Sequence, residues 1–103
     1  MSRVLEELLR LLKLEATSED VFLGQSQDLG WGRVYGGQVL GQALSAAERT
    51  VDKPRQAHSL HGYFLRPGDP YESITYRVER TRDGRSFSTR RIRAEQAGRP
   101  IFF

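Results

Sequence analysis

A glycine-led apolar stretch at residues 36–50 constrains the fold of this chain more than any other segment. Its apolar residues lie around most of a helical wheel instead of along one stripe: Val39, Leu40, Ala43, Leu44, Ala46 and Ala47. A helix that is apolar on nearly every side is buried. Because the residues after 55 have strand-like patterns, we expect a sheet to curl around this helix and bury it from several sides.

The residues that follow this helix predict an antiparallel sheet. Residues 57–66 form one candidate strand, and residues 74–80 alternate cleanly, with Ile74, Tyr76 and Val78 on the inward face. Asp83-Gly84 is a dipeptide typical of a type I′ hairpin turn, which predicts that the chain returns antiparallel over residues 85–94.

The return strand carries a conflict in its apolar pattern. Phe87 and Ile92 differ in parity, so they can share one face only through a bulge. We therefore expect the small and aliphatic residues of matching parity to face the helix, namely Ser86, Ser88, Ile92 and Ala94.

The first third of the chain predicts an amphipathic helix over residues 3–14 and a short strand over residues 20–25. A loop with two glycines around Trp31 then leads to the long helix. Together with the sheet, these elements predict an α+β fold with an additional N-terminal helix.

Composition excludes several classes of protein. The 103 residues suffice for one domain, and the absence of cysteine excludes disulfides and thiolate metal sites. His58 and His61 lie three apart on one predicted strand, so they point to opposite faces and cannot bind one metal together. No apolar run approaches the ~20 residues that span a bilayer. We expect a cytoplasmic protein with no membrane contact, metal or cofactor.

Basic residues are concentrated near the C-terminus. Residues 77–99 contain eight of the sixteen basic residues, all of them arginine. The cluster is either a solvated sheet face or a surface that meets an anion such as a phosphorylated ligand or a nucleic acid. Phe87 alone among the aromatics lies within the cluster, and single-stranded nucleic acids prefer several aromatics on one face. We therefore expect no nucleic-acid partner.

Five blocks of the sequence resemble the type II acyl-CoA thioesterases, the bacterial TesB and peroxisomal group. They are residues 22–26, 34–44, 58–70, 82–91 and 98–102. The resemblance implies the hotdog fold, in which an antiparallel sheet wraps around a central long helix. Members of the family carry two hotdog units in one longer polypeptide, and the resemblance places their catalytic Asp, Ser or Thr, and Gln in the second unit.

This resemblance predicts that residues 1–103 are a single hotdog domain, the N-terminal half of a double-hotdog enzyme, with its last strand truncated. It implies an acyl-CoA substrate that is hydrolysed by an activated water to a fatty acid and free CoA. We expect the isolated chain to have little or no activity. We also expect it to form a homo-oligomer or to pair with a second hotdog unit. The alternative is a non-catalytic scaffold or an acyl-CoA-binding module.

Three groups of residues are candidates for contact with the substrate. His58 could orient a carboxylate or donate a hydrogen bond to the thioester carbonyl, unless it is a hydrogen-bonded structural histidine. Backbone N–H groups at Gly36 and Gly37 could hold an oxyanion or a phosphate, unless these glycines serve only to let the helix approach a strand. Near the hairpin, guanidinium groups and a hydroxyl could bind the phosphates of CoA, unless they are solvated: Arg85, Ser86, Arg90 and Arg91.

Overall fold

The computed structural model describes residues 6, 9–26, 36–52 and 55–103. Within these ranges the chain forms the following elements in order: β1 (Glu15–Ser18), β2 (Val21–Gly24), α1 (Gly36–Glu48), β3 (Ile74–Asp83), β4 (Ser88–Gln96) and β5 (Arg99–Phe102). The five strands make one sheet in the order β1-β2-β3-β4-β5, and all neighbours are antiparallel. The long helix α1 packs on one face of this sheet, which confirms the predicted α+β architecture.

Two predicted elements fall partly or wholly outside the described residues. Of the N-terminal helix expected over residues 3–14, residues 3–5, 7 and 8 lie outside the described ranges, and Glu6 and residues 9–11 are helical. The glycine-rich loop around Trp31 lies entirely outside the described ranges.

The clean alternation of β3 is confirmed by its burial. Ile74, Tyr76 and Val78 are buried, whereas Arg77 and Glu79 between and beyond them are exposed. In the register with β4, Tyr76 faces Ala94 and Val78 faces Ile92, so these pairs form the floor on which α1 rests. The buried core comprises Leu14, Phe22, Val39, Ala43, Ala46, Ile74, Tyr76, Val78, Ala94, Ile101 and Phe102.

The prediction of a type I′ turn at Asp83-Gly84 is wrong. A longer connection over residues 84–87 joins β3 to β4, the Gly84 N–H donates to the Phe87 carbonyl at 2.8 Å, and the φ of Gly84 is not positive. Phe87 precedes β4, so the alternation of side chains along β4 does not decide which way Phe87 faces. Ile92 and Ala94 face α1 as predicted, and the register irregularity of this strand pair lies on β3 between Arg80 and Arg82, opposite Thr89 and Arg90.

A two-residue turn with the type I′ signature lies instead between β4 and β5. Ala97 and Gly98 both have positive φ, 49° and 74°, as a two-residue type I′ hairpin requires. Glycine supplies this conformation without steric strain, whereas Ala97 adopts it at some cost.

The strand predicted over residues 57–66 forms only in part. Tyr63 and Phe103 exchange backbone hydrogen bonds of 2.7 and 3.1 Å, and the Leu65 N–H donates to the Ile101 carbonyl at 2.8 Å. Residues 56–62 have no hydrogen-bonded neighbour in the part of the chain that the structure describes, and all of them are exposed. A strand-like pattern alone does not form a strand, because the backbone needs a partner to satisfy its N–H and C=O groups.

Two sides of α1 flank its sheet-facing residues Val39, Ala43 and Ala46, and these two sides differ in their surroundings. On the side that we call the closed side, Gln42, Ser45 and Arg49 donate to the carbonyls of Leu11, Leu12 and Leu14 at 2.7, 2.9 and 2.7 Å. The other side, which we call the open side, carries Leu44, Ala47 and, just past the end of α1, Val51.

Gln42 is the centre of the closed side and is fully buried. Its amide nitrogen also donates to the Gln25 carbonyl at 2.9 Å, and its amide oxygen accepts from the Tyr76 hydroxyl at 2.6 Å. Burial raises the pKa of the Tyr76 hydroxyl, which therefore stays protonated as a donor. A Cβ on Gly24 would lie 2.8 Å from the same amide oxygen, so only glycine lets β2 approach this closely.

Candidate substrate-binding site

A pocket of about 750 Å³ lies between the open side of α1, residues 55–60 and the start of β4. Its volume falls in the range of roughly 300–1,000 Å³ that small-molecule sites occupy. The lining consists of Leu44, Ala47, Glu48, Val51, Arg55, Gln56, Ala57, His58, Ser59, Leu60, Ser86, Phe87, Ser88, Thr89, Arg90 and Ile92.

The floor of this pocket is aliphatic. Leu44, Ala47 and Val51 recur at helical spacing and therefore lie on one side of α1, and Ile92 of β4 adds to them from the sheet. A contiguous apolar floor of this kind suits an alkyl chain, because burying methylene groups there removes apolar surface from water.

His58 stands at the rim of the pocket. Its ring lies 5.5 Å from the ring of Phe87, and both residues are exposed. In the described ranges no hydrogen bond reaches the imidazole, so both of its nitrogens are open to solvent or a ligand. His61 is also exposed but does not line the pocket.

Arg90 is one of the predicted phosphate ligands, but the protein itself occupies its guanidinium. The group donates to the Thr50 hydroxyl at 2.7 Å, to the Thr50 carbonyl at 2.9 Å and to the Asp83 carboxylate at 2.7 Å. Its side chain is only 5% exposed. The hydrogen bond from Arg90 lowers the pKa of Asp83, so this ion pair persists into acid solution.

Arg55 is a pocket residue that the sequence analysis did not identify. Its guanidinium donates to the Ser88 hydroxyl and, at 2.8 Å each, to the carbonyls of Gly84 and Arg85. It therefore ties the segment after α1 to the connection between β3 and β4. No local sequence signal marks this role, because the contact joins positions about thirty residues apart.

The structure brings together only part of the predicted set. His58, Ser86 and Arg90 line the same pocket, whereas Gly36, Gly37, Arg85 and Arg91 do not. Arg91 belongs to the opposite face of β4, where its guanidinium lies 6.0 Å from the ring centre of Phe103. Arg85 is exposed on the connection between the strands.

Gly36 lies at the other end of α1, under an aromatic ring. A Cβ there would approach the Phe64 ring to 3.1 Å, and Phe64 in turn packs on Phe102 with ring centres 5.0 Å apart. This close approach supports the steric role of Gly36. Gly37 is exposed at the same helix end.

The described residues contain no cluster of three or more His, Asp or Glu side chains that could hold a metal ion. Within the same ranges, no helix has the length and apolar character needed to cross a membrane.

Sequence comparison identifies relatives among acyl-CoA thioesterases. Residues 26–103 match the family described as acyl-CoA thioesterase N-terminal domain. Acyl-CoA thioesterase 2 of Haemophilus influenzae is 50% identical over 96 residues, which is 93% of this chain and 34% of that protein. Human acyl-coenzyme A thioesterase 8 is 49% identical over 92 residues, 89% of this chain and 29% of that protein. The chain thus spans about a third of the length of these curated relatives.

Solved structures agree with this assignment. The tesB protein of Mycobacterium avium subspecies paratuberculosis superposes with a TM-score of 0.91 at 38% identity, covering 95% of this chain and 40% of that one. The acyl-CoA thioesterase II TesB2 of Mycobacterium marinum gives a TM-score of 0.83 at 47% identity, covering 93% and 35%. The predicted hotdog fold is confirmed by these neighbours, and the chain belongs to the family of acyl-CoA thioesterase N-terminal domains.

Proposed function

We propose that this chain is the N-terminal hotdog unit of a cytoplasmic acyl-CoA thioesterase, which hydrolyses acyl-CoA to a fatty acid and CoA. The observation that carries the proposal is the family match over residues 26–103, combined with coverage of only about a third of the relatives' length. The unit works with a second hotdog unit, in which the catalytic Asp, Ser or Thr, and Gln are expected.

In the proposed reaction, water attacks the thioester carbonyl carbon, the C–S bond breaks, and the thiolate of CoA takes up a proton. The second unit supplies the base for the water. The present unit supplies the pocket: the acyl chain lies on the aliphatic floor formed by Leu44, Ala47 and Val51, and His58 donates a hydrogen bond to the carbonyl oxygen as negative charge develops there. The Ser86 hydroxyl offers a second donor at the rim, after His58.

The proposed site contains fewer residues than the sequence predicts. Arg90 is a positioning residue, because its guanidinium is hydrogen-bonded to Thr50 and Asp83. Gly36, Gly37, Arg85 and Arg91 remain predictions for contacts with CoA outside the pocket. The exposed apolar residues Leu60, Tyr63, Phe64 and Leu65 support pairing with a second unit or a second copy of the chain, since isolated domains rarely expose such a run.

A chimera tests this proposal. Residues 1–103 of this chain replace the matching N-terminal part of the Haemophilus influenzae relative, and release of free thiol from decanoyl-CoA is measured. We expect the chimera to turn over and the 103-residue chain alone to show little or no turnover. In the chimera, His58→Ala should lower kcat/KM by about 10²-fold, the usual loss on removing one donor to an oxyanion.

His61→Ala is the matched control, because His61 is exposed on the same segment but does not line the pocket. A folded chimera without activity would contradict the proposed function. Equal losses of kcat/KM in the two histidine variants would show that His58 has no specific role in the reaction. If the chain alone forms a stable assembly and binds decanoyl-CoA, and the chimera is folded and inactive, the alternative of a non-catalytic scaffold or acyl-CoA-binding module is favoured.

A further inference from the structure

The guanidinium of Arg55 lies at the pocket and has no carboxylate partner among the described residues. Its acceptors are the Ser88 hydroxyl and the carbonyls of Gly84 and Arg85, all of them neutral. Among the described residues the ion pairs of arginine belong to Arg77, Arg80, Arg90 and Arg93. Arg55 is therefore a partly buried cation that forms no ion pair within those ranges.

Arg55 also retains hydrogen-bonding capacity. A guanidinium has five N–H groups, and the three bonds of Arg55 use one hydrogen on Nη1 and two on Nη2. Nε–H and the second hydrogen of Nη1 have no acceptor within the described part of the chain. An anion that enters the pocket could accept charge-assisted hydrogen bonds from these two groups.

The surroundings of Arg55 define the rest of the ligand. The same pocket has the aliphatic floor of Leu44, Ala47, Val51 and Ile92. A cation beside an apolar floor matches a molecule with an alkyl chain and an anionic head. Glu48 also lines the pocket, but its side chain is exposed and can extend into solvent.

We propose that this pocket binds a medium-chain fatty acid as its carboxylate, with the head group on Arg55 and the chain on the aliphatic floor. The inference rests on the proposed function only for the source of the acid, which would be the product of the hydrolysis. Bound there, the acid occupies the pocket beside His58 and competes with the next acyl-CoA.

Calorimetric titration of decanoate into the 103-residue chain tests this inference without any enzymatic activity. We expect saturable binding that Arg55→Ala weakens by about 10-fold or more, because a charge-assisted pair is lost. Arg99→Ala is the matched control: Arg99 is an exposed arginine on β5 outside the pocket, and its removal should leave the affinity unchanged.

Arg55 also ties the connection between β3 and β4, so Arg55→Ala could unfold the chain. Ala47→Phe tests the inference without changing Arg55. A phenyl ring placed on the pocket floor should abolish decanoate binding. Circular dichroism confirms the fold of each variant before titration.

Three outcomes would overturn the inference. The first is equal affinity for 1-decanol and decanoate, which would show that the head group is not recognised. The second is equal weakening by Arg55→Ala and Arg99→Ala. The third is binding of CoA or inorganic phosphate that depends on Arg55 when decanoate does not bind, which would identify a phosphate site. Decanoate binding together with an inactive chimera would contradict the proposed function and leave this inference standing.

Discussion

The closed and open sides of α1 differ in how far their polar groups are used by the protein itself. On the closed side, Gln42 has each of its polar atoms bonded within the fold. Next to the open side, the exposed His58 imidazole at a pocket of about 750 Å³ makes no hydrogen bond to the described residues. A fully bonded network cannot take up a ligand without losing internal bonds, whereas open donors can. The closed side therefore stabilises the unit, and the open side is free to bind.

The largest effect that would test this difference is expected for Gln42→Leu. The substitution leaves the buried Tyr76 hydroxyl and the Leu11 carbonyl without their partner, and each unsatisfied group costs about 1–3 kcal/mol. We expect the free energy of unfolding to fall by about 3 kcal/mol, measured by urea denaturation. Gln56→Leu is the control, because Gln56 is an exposed glutamine at the pocket. Equal losses of unfolding free energy in the two variants would show that the closed side is no more important for stability than the open side.

Phe87→Ser is expected to have a much smaller effect on stability. Phe87 is 66% exposed, so its removal should change the free energy of unfolding by no more than about 0.5 kcal/mol. Because the ring lines the pocket, the same substitution should raise the KM of the chimera for decanoyl-CoA. A large loss of stability with an unchanged KM would show that the open side is structural.

The smallest effect concerns the ion pair of Asp83 with Arg90. Since the pKa of Asp83 is lower in the folded chain than in the unfolded chain, the unfolded chain binds more protons in acid. The stabilisation is complete above the ordinary aspartate pKa of about 3.9 and is lost as the pH falls through the lower folded value. Melting temperatures of wild type and Asp83→Asn should therefore differ at pH 6 and converge in acid. A difference that grows in acid would contradict this sign.

The sequence predicts those parts of the fold in which one periodic pattern decides the structure. The apolar wheel of residues 36–50 and the alternation of Ile74, Tyr76 and Val78 both correspond to observed elements. The same wheel contains a further signal: on a helix with so few polar positions, a glutamine close to the sheet has to be buried and to find hydrogen-bond partners. Gln42 does so.

Sequence patterns fail where the outcome depends on distant partners. Residues 57–66 have the composition of a strand, but a strand requires a neighbour along its length, and residues 56–62 lack one among the described residues. Of the residues that line the pocket, the sequence predicts His58, Ser86 and Arg90 as candidates. It does not predict Arg55, since the contacts of Arg55 with Gly84 and Arg85 depend on the tertiary fold.

The bonds of Gln42 also bear on the order in which the chain folds. They join α1 to Leu11, which is 31 residues away, and to Tyr76, which is 34 residues away. Closing such long loops costs entropy before any bond is gained, so we expect these contacts to form late, after the local hairpin of β4 and β5. A polar network that needs three distant segments at once is either complete or absent. It should therefore make the unfolding of the sheet, the helix and the N-terminal segment a single cooperative event.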